Sequence, residues 1–354
     1  MIITGVDTWT DRLPLTRPYV IATRMVSTVD LHFVRLESDR GFFGLGCAAP
    51  TAVTAENAEA CLGALDACAH DILKGSDPRS LRALTRRLRK ECVQYPSAMA
   101  ALDMAVYDLL AQGMGIPVAA MLGQCVKALP TSITIGILPL EETLSEAREY
   151  LGRGFRCLKV KLGLNYEEDI ERLRALRKLC SADVQIRVDA NQGYTIEQAR
   201  QLAHESHALN LELIEQPLGR GEEGYMLGLS REAQKLMAAD ESLHGPEDAL
   251  KLAVNRPFGI WNIKLMKCGG ITGALGISDI AQLAGIDLMW GCMDESVISI
   301  AAALHTAYAC PRTRYLDLDG SFDLSRDTAL GGFVLSDGYM HLLETPGFGA
   351  KLAD

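Results

Sequence analysis

No apolar run in this sequence approaches a membrane span: SVISIAAAL (296–304) stops far short of the roughly 20 residues a spanning helix needs. Basic charge is not in excess either. Asp and Glu number 45 against 35 Lys and Arg, a net charge of −10, which argues against nucleic acid or an acidic membrane as the main partner without selecting a substrate. The ten cysteines are scattered and contain no C-x-x-C pair, so a disulfide framework is not expected, and reduced thiols in a cytoplasmic protein are. The first fifteen residues carry Asp7 and Asp11 and lack a basic segment followed by an apolar one, so a secretory leader is not expected. There is no low-complexity segment and no repeat beyond a strand–helix period.

What is present is material for one large catalytic unit: 354 residues, 48% hydrophobic. Residues 1 to about 49 alternate apolar and polar positions and turn at Asp39-Arg40-Gly41, which predicts an antiparallel sheet with hairpins. Three helical stretches follow, at 55–73, 77–92 and 96–115. Strands followed by helices mark an α+β lobe. From about residue 130 the pattern alternates, with strand candidates PTSITIGI, CLKVKLG, VQIRVDA, LELIEQP, KLMAADE, IWNIKLM, IDLMWGC and RYLDLDG. Eight such units predict an α/β protein of the (β/α)₈ type. The expected organisation is a capping domain at 1–125, a barrel at 126–322, and a segment at 323–354 that forms a hairpin and returns to the cap.

Five ionisable residues keep a regular beat through the barrel region. Lys161, Asp189, Glu215, Asp240 and Lys264 are 24 to 28 residues apart, about one strand, one helix and two short loops, and each ends a strand-like run. Any one of them alone would pass as turn chemistry. Together they place three carboxylates at the mouths of three adjacent strands, with no Cys or His among them, a donor set suited to a hard dication such as Mg²⁺.

The motifs Lys159-Val160-Lys161, VDANQ, IEQP, ADES and NIKLMKCGG, in that order over essentially the whole chain, resemble the enolase superfamily in its muconate-cycloisomerase-like subgroup. The D-x-D of LDLDG makes the sequence most similar to the dipeptide epimerases, of which Ala-Glu epimerase is a type. That resemblance implies one Mg²⁺ on Asp189, Glu215 and Asp240, and acid/base lysines at Lys161 and Lys264. It implies inversion of the α-carbon of a dipeptide's C-terminal residue by 1,1-proton transfer through an enediolate. The α-proton next to a carboxylate is very weakly acidic, and nearby positive charge stabilises the two negative oxygens formed on its removal. Strands two and six face each other across a barrel, so one lysine could take the proton from one face while the other returns one to the opposite face. A neutral lysine needs a lowered pKa, and Lys159, two residues from Lys161 on the same side of the strand, is expected to help supply the shift.

Asp317 and Asp319 obey the same period of two and form an anionic patch suited to the ammonium of a dipeptide, although Asp319 before Gly320 also reads as a turn. Asn191 is either a support for Asp189 or a turn residue. For side-chain choice, Arg24 falls at a position that contacts an acidic side chain in Ala-Glu epimerases. Asp294 and Glu295, in GCMDES, form an acidic wall that leans toward basic dipeptides. Ala-Glu specificity, muconate cycloisomerase, o-succinylbenzoate synthase, a Schiff-base aldolase using Lys264, and a non-catalytic metal- or peptide-binding barrel are the competing readings. Self-association is left open.

Overall fold

A computed structural model of the chain describes residues 1–21 and 24–353, with the side chains of 18–25 outside that description. The chain opens with strands β1 (Ile3–Ile21), β2 (Arg24–Ser38) and β3 (Phe43–Ala48), antiparallel and in that order. Ser38 N donates to Phe42 O at 2.9 Å, closing the expected turn at Asp39-Arg40-Gly41. Helices α1 (Ala58–Cys68), α2 (Leu81–Glu91) and α3 (Pro96–Met114) follow. Their starts carry local signals: Asn57 accepts from Ala60 N at 3.0 Å, and Pro96 occupies the first turn of α3. α3 is buried along most of its length and packs on β2 and β3.

After α4 (Val118–Leu122) and β4 (Ala128–Pro130) comes a parallel sheet whose eight strands pair in sequence order. They are β5 (Ile133–Ile135), β6 (Cys157–Lys161), β7 (Gln185–Asp189), β8 (Leu211–Glu215), β9 (Met237–Ala239), β10 (Ile260–Ile263), β11 (Asp287–Gly291) and β12 (Thr313–Asp317). Between and after them lie α5 (Leu140–Gly152), α6 (Tyr166–Leu179), α7 (Ile196–Glu205), α8 (Arg231–Leu236), α9 (Pro246–Asn255), α10 (Leu265–Cys268), α11 (Ile271–Ala284) and α12 (Val297–Ala309). The ring nearly closes where Thr131 bridges Leu316 in parallel and Ser132 N donates to Leu316 O at 3.0 Å. This is the nearly closed eight-stranded barrel with an α+β cap that the alternation predicts.

Two runs differ in extent from their reading as strands. In KLMAADE, Lys235 and Leu236 finish α8, whose start is capped by Ser230 accepting from Ala233 N. In IWNIKLM the strand stops at Ile263, and the chain turns into α10, which ends at Gly269 in the left-handed region (φ 73°) that glycine tolerates best.

Inside the barrel, Leu213, Ala238, Ile260 and Met289 form an apolar floor with Tyr315. Arg187 extends over the Tyr315 ring at 5.3 Å, pairs with Glu212 at 2.5 Å and bonds the Leu316 carbonyl, so it ties β7 to the β5–β12 seam. The tail contains β13 (Ala329–Gly331), β14 (Phe333–Ser336), β15 (Tyr339–Leu342) and β16 (Ala350–Leu352). β14 and β15 form the expected hairpin, extended by β4, while β13 pairs with β16. Asp108 of α3 accepts from Phe348 N at 2.9 Å, and Asp11 of β1 accepts from Thr328 Oγ1 at 2.8 Å. The cysteines are free thiols, with Cys68 Sγ and Cys92 Sγ 2.8 Å apart. Among the described residues no helix is long and apolar enough to cross a membrane.

Candidate active site

The five beat residues meet at one end of the barrel because strand register puts them there. Lys161 lies opposite Asp189, Asp189 opposite Glu215, and Glu215 opposite Ala238, two residues before Asp240. Lys264 directly follows β10, four strands from β6 in the ring of eight and therefore across it. Lys161 Nζ stands 2.7 Å from Asp189 Oδ2, and Lys264 Nζ 2.9 Å from Asp240 Oδ2. Between them Lys159 Nζ lies 3.1 Å from Asp189 Oδ2, 2.7 Å from Glu215 Oε2 and 2.7 Å from Asp317 Oδ2. A lysine thus sits at each end of a row of three buried carboxylates.

The loops beyond these strands are fixed by their own bonds. Gly163 after β6 backs onto Ala190 after β7, where a side chain would meet the Ala190 carbonyl at 2.4 Å. Asp169 of α6 fastens both loops by accepting from Gly163 N at 2.9 Å and Tyr194 Oη at 2.6 Å. Gln216, next to Glu215, accepts from Asp240 N at 3.0 Å and Ser242 N at 3.2 Å, which sets the chain direction around Asp240. Asn191 occupies a positive-φ turn (42°), its backbone N donates to Asp189 Oδ1 at 2.9 Å, and its side chain accepts from Lys161 Nζ at 3.0 Å.

Burial opposes every charge here, and the neighbours decide the outcome. Burial, then Asp189, pushes Glu215 up to about 7. Lys161 and Lys159 outweigh burial at Asp189 and bring it to about 2, while Lys264 and Lys267 hold Asp240 well below the carboxylate range. Lys159 and Lys264 are raised because their carboxylate partners exceed the cost of burial. For Lys264, the lowered value expected for proton abstraction is therefore absent while its carboxylate neighbours rest on its ammonium group. As the side chains stand, no group of three or more His, Cys, Asp or Glu among the described residues is gathered to hold a metal ion. The donor chemistry nevertheless fits a hard dication: Asp189, Glu215 and Asp240 are buried, oxygen-only and mutually repelling.

The other side of the mouth is different. Asp317 accepts from Ser132 Oγ on Oδ1 at 2.5 Å and from Lys159 Nζ on Oδ2 at 2.7 Å, whereas Asp319 Oδ2 accepts from the backbone N of Thr134 at 2.8 Å, with Cys292 Sγ 3.8 Å from Oδ1. Burial, then Asp317 and Asp323, pushes Asp319 up to about 7. Asp323 is pushed up to about 6 by burial and then Asp294, which is half-buried on the loop after β11. Glu295, the other member of the expected acidic wall, is buried, accepts from Met293 N within its own loop at 2.8 Å, and feels the charges of Lys264 and Asp294. Arg24 carries a side chain outside the described set.

Four site residues were not singled out from sequence. Asn262 donates to Glu215 Oε1 at 2.7 Å, Lys267 contacts Asp240 Oδ1 at 2.5 Å, and Glu241 accepts from Asn191 at 3.2 Å; Asp323 adds charge at the rim. Asn262 had a readable signal, lying two residues before Lys264 on the same strand face. Lys267 lies three residues after Lys264, a spacing that becomes informative only once the chain turns helical there.

Residues 142–354 match the family described as enolase C-terminal domain-like, and residues 3–123 the mandelate racemase/muconate lactonizing enzyme N-terminal domain. An L-Lys-D/L-Arg epimerase of Methylococcus capsulatus is 50% identical over 100% of both chains. An L-Ala-D/L-Glu epimerase of Clostridium acetobutylicum is 35% identical over 96% of each. The solved structure of the Methylococcus capsulatus dipeptide epimerase, complexed with Mg and the dipeptide L-Arg-D-Lys, matches with a TM-score of 0.96 at 50% identity over 99% of each chain.

Proposed function

Since this chain belongs to the enolase superfamily, with mandelate racemase/muconate lactonizing enzyme-type N- and C-terminal domains, we propose that it is a Mg²⁺-dependent epimerase of dipeptides with basic side chains. The observation that carries the reading is the row Lys161–Asp189–Glu215–Asp240–Lys264, with a lysine held against a carboxylate at each end. Asp189, Glu215 and Asp240 would hold the ion. When bound, Mg²⁺ supplies positive charge opposite the substrate carboxylate as its α-proton leaves.

The protein's own groups account for the rest. Lys161 and Lys264 come from opposite strands and approach opposite faces of one carbon; one takes the α-proton as an amine while the other, an ammonium, gives a proton to the far face. Exchange of their roles reverses the reaction. Lys159 stays a fixed ammonium between Asp189, Glu215 and Asp317. Asp319 receives the substrate ammonium and Asp317 holds Lys159, a division that gives the D-x-D motif two jobs. Asp294 and Asp323 add negative potential suited to a basic side chain. Identity of 50% to the L-Lys-D/L-Arg enzyme against 35% to the L-Ala-D/L-Glu enzyme supports the same choice. A cytoplasmic setting agrees with the free thiols.

Incubation with L-Lys-L-Arg and with L-Ala-L-Glu in D₂O tests the assignment. Faster α-proton exchange and net epimerisation of the basic dipeptide are expected. A tenfold preference for L-Ala-L-Glu would overturn the side-chain assignment, and turnover of neither, nor of other L,L-dipeptides, would overturn the activity.

A further inference from the structure

Lys267 has no part in the proton transfer, yet its side chain is only 1% exposed, against 8% for Lys264 and 30% for Lys161. It rises from α10, one turn beyond Lys264. Its Nζ lies 2.5 Å from Asp240 Oδ1, 2.6 Å from the Asp240 carbonyl oxygen and 3.4 Å from the Asn262 carbonyl oxygen. The other oxygen of Asp240, Oδ2, is held by Lys264 at 2.9 Å.

The two lysines grip Asp240 in different ways. Lys264 holds it through a side-chain oxygen alone, on a stem that can swing to substrate. Lys267 is bound to two backbone carbonyls as well, one at the end of β9 and one in β10, and those oxygens keep their places when the side chains rearrange. A carboxylate with one oxygen tethered to the scaffold presents the other in a fixed direction. We infer that Lys267 is a positioning residue for the metal centre: it pins Oδ1 of Asp240 and so leaves Oδ2 as the oxygen that Lys264 yields to the dication.

This inference rests on the metal reading above. Polar partners that orient a ligating side chain typically account for 10- to 100-fold in metal affinity or activity. In the Lys267→Met variant, with folding verified by circular dichroism and melting, titration calorimetry with Mg²⁺ alone should show affinity weakened about 10- to 100-fold. At saturating Mg²⁺, kcat should fall while the dipeptide KM changes little. Lys267→Gln keeps one donor but is too short to hold all three oxygens, and it carries the same expectation should the Met variant fail to fold. A folded variant that binds Mg²⁺ as the parent does would overturn the role and leave Lys267 as a staple between β9 and β10. A parent protein that binds no Mg²⁺ would instead overturn the metal reading itself.

Discussion

Along the arc of the barrel mouth from β6 to β10, the carboxylates meet ammonium groups: Asp189 meets Lys159 and Lys161, Glu215 meets Lys159, and Asp240 meets Lys264 and Lys267. Along the arc of β11, β12 and β5, Asp319 meets a backbone N–H, Asp323 acts on Asp319, and Asp294 acts on Asp323. The first arc offsets each of its carboxylates with at least one ammonium group and, on the proposed reading, is equipped to move a proton on any α-carbon beside a carboxylate. The second gathers acidic groups whose mutual repulsion and burial raise Asp319 and Asp323, although Arg17 and Arg153 also act on Asp323. On the proposed reading, chemistry and selectivity occupy different sectors of one ring, and changes to each should have separable effects.

The largest effect should come from the balanced arc. Exhaustive chelation should lower turnover of L-Lys-L-Arg by roughly a thousandfold or more, and added Mg²⁺ should restore it. Full activity in the chelated protein would remove the metal from the account.

Next comes the substrate ammonium. Acetylating it leaves Asp319 buried without its cation, a cost of about 2–3 kcal/mol, or roughly 30- to 150-fold in kcat/KM. Equal kcat/KM for free and acetylated dipeptide would return Asp319 to a structural role and revive the cycloisomerase alternative.

Selectivity at the rim should be smaller still. Asp323→Asn is expected to lower kcat/KM for L-Lys-L-Arg by up to about tenfold, since a partly solvated charge is worth about 1 kcal/mol, and to spare L-Ala-L-Glu. Parallel losses on both substrates would break the division between the arcs.

The smallest effect should leave catalysis alone. Asp103 of α3 accepts from Thr272 N at 2.9 Å and Thr272 Oγ1 at 2.7 Å, joining the cap to the start of α11, and burial pushes it up to about 7. Unfolded Asp titrates near 3.9, so the folded state binds this proton more tightly. The associated stability is fully present below about pH 4 and is lost as pH rises through about 7. The Tm of Asp103→Asn should therefore fall less than that of the parent between pH 5 and 8, with the substrate preference unchanged. Parallel Tm profiles would place the pH dependence on other buried acids.

The two arcs were not equally legible in the sequence. β7 and β8 end on Asp189 and Glu215 because apolar runs with a terminal acid report both strand and register, so the balanced arc could be read from spacing alone. The partners that fix it could not. Lys267 reaches Asp240 only because α10 interrupts the run after Ile263, and Gln216 sets the Asp240 backbone through a positive-φ turn (34°). On the acidic arc, adjacent residues part company: Asp294 stays half-buried at the mouth while Glu295 folds into its own loop. Sequence order says nothing about that choice, since it depends on how the loop after β11 packs. The β5–β12 seam was hidden for the same reason. Its closure relies on Ser132 and Arg187 reaching across from strands far apart in the chain.

The central claim is that Lys161 and Lys264 serve opposite faces of one carbon, and α-proton exchange in D₂O by the two single alanine variants tests it most directly. Lys161→Ala and Lys264→Ala should each lose net epimerisation, and each should still exchange the α-proton of one epimer only, with the two variants selecting opposite epimers. Near-parental epimerisation by either variant, or exchange of the same epimer by both, would contradict the two-base account.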